Sequence, residues 1–329
     1  MVWYLDEPYG GGLPSWYVFK FMRQDVTVGL TGTGGDELFS NYGKPLLLER
    51  GVLERLGMGC RRMLGSHSRS ITLVWRVVGP LVRTIPDRVI GPYRKKRLLE
   101  LPTIVHSSLM RYYLNTWYYF SDAVKREAVL QMEATDGLPD TATFLEQLYE
   151  ASRATTLRDG IAYVDIKTQL ADEFLHMTDR FSMAHSLEAR VPFLDHVFVE
   201  RVFRIPAFLR TGGVSPKALL KKAMAPVLPP ELLRAKKRGF VLPLALWLRT
   251  HLRPLAESLL SHERLSHQGL LHPEFFRRFV RPHLEGKADY ACQIWAAIMF
   301  QLWHLVFIEE RAMECPSFTW RDICSSRVP

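Results

Sequence analysis

The residues best suited to chemistry lie in the run Val26-Thr-Val-Gly-Leu-Thr-Gly-Thr-Gly-Gly-Asp-Glu-Leu-Phe39, which closes on Tyr42. Gly32, Gly34 and Gly35 let the backbone take positive φ and approach a ligand closely. Amide N–H groups in such a turn can face an anion, and the start of a helix adds partial positive charge. A carboxylate there, Asp36 or Glu37, can hold Mg2+ against phosphate oxygens. The run reads as a phosphate or metal corner. A tight strand-to-helix turn, with acidic residues favouring the helix start, accounts for the same letters.

Two more segments carry dense functionality. Asp179-Arg-Phe-Ser-Met-Ala-His-Ser-Leu-Glu-Ala-Arg-Val-Pro-Phe-Leu-Asp195 sets charged side chains and His185 among apolar residues. Buried ion pairs among Asp179, Arg180, Glu188, Arg190 and Asp195, pinning two helices and a loop, explain it at least as well as catalysis. His185 and His196 have no metal-ligand partners at recognisable spacing and read as structural. In Lys236-Lys237-Arg238-Gly239-Phe240 a lysine precedes a Gly-Phe turn, where a compact ammonium can meet phosphate oxygens. On that segment alone a solvated basic loop is preferred.

These residues need elements to position them. Val26, Val28 and Leu30 read as a short buried strand, preceded by a helix from Pro14 to Arg23, the tail of an α/β unit. A parallel strand buried on both faces needs neighbours, yet few convincing strands follow. Beyond Lys44 the apolar spacing is helical over Leu46–Leu56, Arg111–Phe120, Thr143–Ala154, Tyr163–Leu187 and Pro216–Ala225. The aromatic stripe at 111–120 reads as core. Ile294–Ile308 contains Gln301 and His304 and falls short of the ~20 residues of a membrane span, so it reads as a buried helix. The expected fold class is mainly α with a remnant α/β part, divided at 1–45 and 46–329.

The 329 residues are 47% hydrophobic, enough for a large core or two ordinary ones. A net charge of +9 suits an anionic ligand, a nucleic acid or a membrane surface. The basic clusters at 94–97, after Pro80, Pro86 and Pro92, and at 236–238 read as solvated faces. Neither a nucleic-acid nor a membrane partner is expected. Cys60, Cys292, Cys315 and Cys324 show no CxxC spacing, so no disulfide framework or zinc site is indicated and a reducing cytoplasm fits. The first residues carry no signal-peptide pattern.

In their order the motifs resemble the synthetase domain of glutamine-hydrolysing asparagine synthetases and their amidotransferase-like relatives. The resemblance covers nearly the whole chain. It runs through Asp6-Glu7-Pro8, Leu30–Phe39 with Tyr42, Asp179–Asp195, Lys217-Ala-Leu-Leu-Lys221, Leu228–Leu233 with Lys237–Phe240, and Ile294-Trp295 with Leu302-Trp303. It implies the C-terminal portion of an adenine-nucleotide alpha-hydrolase-like (PP-loop ATPase) synthetase domain. In such enzymes ATP converts the aspartate side-chain carboxylate to an acyl-adenylate, and ammonia from glutamine displaces AMP. Carried over by position, Thr31, Gly32 and Tyr42 would bind ATP, and Thr33, Gly34 and Gly35 the substrate. Asp36 would hold Mg2+, and Lys237 and Glu37 would be the catalytic residues, Lys237 stabilising charge on the α-phosphate and Glu37 lining or supporting the pocket.

Departures from the family pattern shape the expectation. The family usually opens with a glutaminase domain whose N-terminal cysteine is the nucleophile, whereas here Met1-Val2 stand first and no cysteine precedes Cys60. The family's Ser-Gly-Gly-x-Asp-Ser pyrophosphate loop is absent from this sequence, and with it one of two expected metal carboxylates. Thr33 stands where the family usually has Glu or Asp. The chain is therefore expected to be a fragment or split subunit, inactive alone, with a partner chain carrying the glutaminase domain and the pyrophosphate loop. Amidation of another carboxylate, or a non-catalytic partner or scaffold role, are the alternatives.

Overall fold

The computed structural model describes residues 1–39, 44, 80–82, 84, 109–131, 137–211, 217–235, 239, 242–317 and 319–325. Helix α1 (Val2–Leu5) leads to α2 (Leu13–Met22), which carries Pro14 in its first turn, where the missing N–H leaves no intrahelical bond unmade. Strand β1 (Val28–Leu30) then enters the Gly-rich turn, and α3 (Gly35–Phe39) follows. The chain crosses over through α4 (Leu109–Trp117), α5 (Thr141–Ala151), α6 (Leu157–Asp165) and α7 (His176–Ala184) before reaching β2 (Glu188–Arg190). The strands pair in parallel, Val28 opposite Glu188 and Leu30 opposite Arg190. Beyond them lie α8 (His196–Phe203), α9 (Ala218–Met224), α10 (Leu244–Arg249), α11 (Arg253–Leu259) and α12 (Ala291–His304). The described chain is mainly helical, as expected.

The sheet corrects the reading of its own strand. Val26, Val28 and Leu30 are 42, 39 and 72% exposed, and the buried residue of β1 is Gly29. Side chains alternate along a strand. In a sheet of two strands among the described residues, one face packs through Gly29 toward Met22 and Leu187, and the other stays open. Strand β2 was missed because its three residues, Glu-Ala-Arg, carry no apolar signal.

The helix expected over Tyr163–Leu187 begins earlier. Thr156 caps α6 by accepting from the Asp159 amide at 3.1 Å. A π-helical segment, Ile166–Leu175, links α6 to α7, and the helix stops at Ala184 before Ser186 turns to φ +55°. Buried Asp122 accepts from the Thr141 and Ala142 amides and so fixes the start of α5. Met110, Tyr113 and Leu114 of α4 pack on Leu145, Ile161 and Val164. The aromatic stripe is core only in part, since Tyr118 and Tyr119 are exposed.

A large apolar cluster joins Leu248, Leu255, Leu259, Phe275, Ile294 and Ile298, all fully buried. Helix α12 runs on through a π segment, Leu305–Glu309, so its 19 residues are long and apolar enough to cross a membrane by length and composition. Ile294, Ala297, Ile298 and Leu305 pack into the core cluster as expected, while 44% of the apolar window is buried and Ile308 at its end is half-exposed. The predicted helix at 46–56 and the basic cluster at 94–97 lie outside the described residues.

Candidate functional site

The turn between β1 and α3 is built by its ladder and its glycines. The Thr31 amide donates to the Arg190 carbonyl at 2.8 Å, carrying the parallel pairing one residue past β1. The Gly35 amide then closes back on the Gly32 carbonyl at 3.1 Å. Gly34 has φ +91°, and a Cβ there would lie 2.3 Å from a methyl of Leu194. Both conformation and packing demand glycine at that position. A Cβ on Gly32 would meet nothing within 4 Å, so among the described residues this stretch of backbone faces open space.

The acids that follow are held differently. Asp36 Oδ2 lies 3.1 Å from Lys217 Nζ, both side chains partly exposed. Lys217 caps α9 at φ +59°, a left-handed conformation uncommon for a residue with a Cβ. Glu37 is buried beneath the turn. The end of α3 is tied down by Arg210, whose fully buried guanidinium donates to the Leu38 carbonyl at 3.2 Å, pairs with Asp159 and stacks 4.1 Å from the Phe203 ring centroid. Burial pulls the Arg210 guanidinium below its ordinary pKa, and Asp159 opposes that pull.

Thr31, Gly32, Thr33, Gly34, Asp36 and Glu37 line a single cavity of about 410 Å³, together with residues of α2 and Phe174, Met177 and Thr178. Within it the Thr31 hydroxyl donates to Thr33 Oγ1 at 3.1 Å. Gly35 is buried against Phe193 outside the lining. Tyr42 and Lys237 lie outside the described residues. Sequence reading missed Lys217 as a site residue, although it stood at the head of a noted motif. It also missed Arg210 and Lys44, single basic residues with no local pattern. Lys44 is buried, and its ammonium reaches Tyr113 Oη, both Asp165 oxygens and Gln169 Oε1 at 2.7–3.0 Å.

The charged segment at 179–195 does not hold the buried ion pairs expected of it. Glu188 and Arg190 pair at 2.7 Å, but on the exposed face of β2, where such a pair contributes little. Asp195 caps α8 by accepting from the Phe198 amide at 2.9 Å. Asp179 and Arg180 are exposed and make no ion pair among the described residues. A three-residue strand and a cap use these charges at the surface rather than inside. His185 packs edge-on to Trp16 at 4.4 Å, and burial lowers its pKa; His196 is exposed. Neither joins a metal-binding group among the described residues.

Comparison with known proteins matches residues 1–305 to the family model described as asparagine synthase. The chain is 29% identical over 319 residues to asparagine synthetase (glutamine-hydrolyzing) 1 of Bacillus subtilis, covering 95% of this chain and 46% of that protein. It is 30% identical over 315 residues to a putative asparagine synthetase (glutamine-hydrolyzing) of Mycobacterium bovis, covering 94% of this chain and 44% of that one. The chain thus spans less than half the length of these relatives. No solved structure matches it.

Proposed function

This chain belongs to the asparagine synthase family, and on that premise we propose that it supplies part of the carboxylate-activating site of an ATP-dependent amide-forming ligase. In the proposed reaction ATP adenylates a carboxylate, aspartate being the leading substrate, with release of pyrophosphate, and ammonia then displaces AMP. The observation that carries this reading is the convergence of Thr31, Gly32, Thr33, Gly34, Asp36 and Glu37 on one cavity. The open backbone at Gly32 suits a phosphate-bearing ligand, with Thr31 and Gly32 against the nucleotide. Mg2+ typically takes one or two protein carboxylates and completes its shell with water and phosphate oxygens. Asp36 is the carboxylate proposed for it, which requires Lys217 to yield or share its partner. Mg2+ would neutralise phosphate charge there.

Thr33, Gly34 and Gly35 are proposed to position the carboxylate substrate, Glu37 and Tyr42 to support the pocket, and Lys237 to meet the α-phosphate. The short parallel sheet is read as part of a PP-loop ATPase domain, the α/β part falling within residues 1–45 and the helical part within 46–329. The glutaminase domain and pyrophosphate loop would come from a partner chain, in the cytoplasm.

A second reading, another acceptor carboxylate, is favoured by Thr33, a neutral side chain in the cavity wall. The two readings separate in a screen for AMP release, with the pyrophosphate-loop portion of a relative supplied in trans. Aspartate-dependent AMP release supports the first, and release with a different carboxylate alone supports the second. Release indifferent to every carboxylate contradicts both.

A further inference from the structure

Consecutive residues of the π segment, Glu173 and Phe174, line two different cavities. Phe174 faces the candidate site, and Glu173 faces a second cavity of about 460 Å³. Its wall is aromatic, formed by Tyr9, Trp117, Tyr119 and Phe144, and its acids are Asp172 and Glu173. Such a lining, ring faces with carboxylates, is the chemistry that recognises organic cations.

The fold itself already holds an ammonium on this wall. Lys44 Nζ sits 5.0 and 5.5 Å from the ring centroids of Tyr113 and Trp117, with Asp165 oxygens at 2.9 and 3.0 Å. Asp165 matches the Lys44 charge, which leaves Asp172 and Glu173 as the remaining charged groups among the described lining residues. Glu173 accepts from Tyr9 Oη at 2.7 Å. Asp172, one residue before it, makes no hydrogen bond or ion pair among the described residues. Desolvation raises the Glu173 carboxyl, against the hydrogen bonds from Tyr9 and Gln169. Glu173 is only partly buried and makes no ion pair among the described residues. The π geometry, common at functional sites, brings Gln169, Asp172 and Glu173 to the same cavity.

We propose that this cavity binds a small organic ammonium ion, with Asp172 and Glu173 as counter-charges and Trp117, Tyr119 and Phe144 as the aromatic wall. The site is separate from the turn at Thr31–Glu37 and does not depend on the chemistry proposed there, so either can fail alone.

Tetramethylammonium chloride titrated into the full chain, followed by NMR line broadening of its methyl protons, tests this. Sodium chloride at matched ionic strength and tert-butanol, a neutral compound of similar size, serve as controls. The expected result is saturable binding of the cation but not of the alcohol, weakened roughly three- to tenfold by Asp172→Asn or by Phe144→Leu. Glu173→Gln keeps an acceptor for Tyr9 and removes a charge that burial penalises. It should melt no lower than the parent chain while losing affinity, which separates binding from folding. Non-saturable broadening, equal response to tert-butanol, or indifference to all three substitutions would overturn the proposal.

Discussion

At Gly34 the need for glycine comes from backbone and packing together, whereas at Gly32, two residues earlier, neither imposes it. Gly34→Ala forces a Cβ into a left-handed conformation and against Leu194, a strain of about 2 kcal/mol. Gly32→Ala should stay within roughly 0.5 kcal/mol of the parent chain. Thermal melts of both variants check this, and equal losses would show that the turn is not held as described. The contrast matters for function, because a glycine that stability does not require stands where the backbone faces the cavity. Lys217 carries the same lesson at another residue, since its left-handed backbone sets its ammonium against Asp36. Sequence reading placed Asp36 correctly at a helix start but could not see its partner. The two are separated by 181 positions, and only the fold brings α9 back to α3.

Among the elements, the helices were legible as apolar stripes, although Thr156 caps α6 at Leu157, ahead of the start expected at Tyr163. They were less so where a distant residue sets the boundary. Helix α5 starts at Thr141 because Asp122 accepts the Thr141 and Ala142 amides. Burial pulls the Asp122 carboxyl up, but the Lys125 hydrogen bond and those two amides win, holding it below the ordinary carboxylate range. The folded pKa is therefore depressed, so this contribution is complete above the unfolded value and fades as pH falls through the folded one. Asp122→Ala should cost about 1–3 kcal/mol near neutrality, with the difference from the parent chain closing as pH falls below the ordinary carboxylate value of about 4. Denaturant unfolding across that range measures it, and a difference constant with pH would contradict the account. Strand β1 failed as a burial prediction for a related reason. Its Val-x-Val-x-Leu alternation is a true strand signal, but which face is covered depends on how many strands accompany it.

For the whole molecule, the described residues give a helical body with one edge of a parallel sheet, and the curated relatives are more than twice as long as the matched region. Family membership and the main clustering of the turn were readable because those residues are contiguous. The tying of that turn by Arg210, and the buried Lys44–Asp165 pair, were not, because each joins residues far apart in the chain. On the proposed reading the Thr31–Glu37 turn is part of a nucleotide seat completed by a pyrophosphate loop that this sequence does not contain. Pyrophosphate–ATP exchange in the presence of aspartate tests it most directly, measured on the chain alone and with the loop-bearing portion of a relative added. The account predicts negligible exchange by the chain alone, exchange on addition, and a loss on the order of 100-fold or more in Asp36→Asn. Robust exchange by the chain alone, or complemented exchange indifferent to Asp36→Asn, would contradict it.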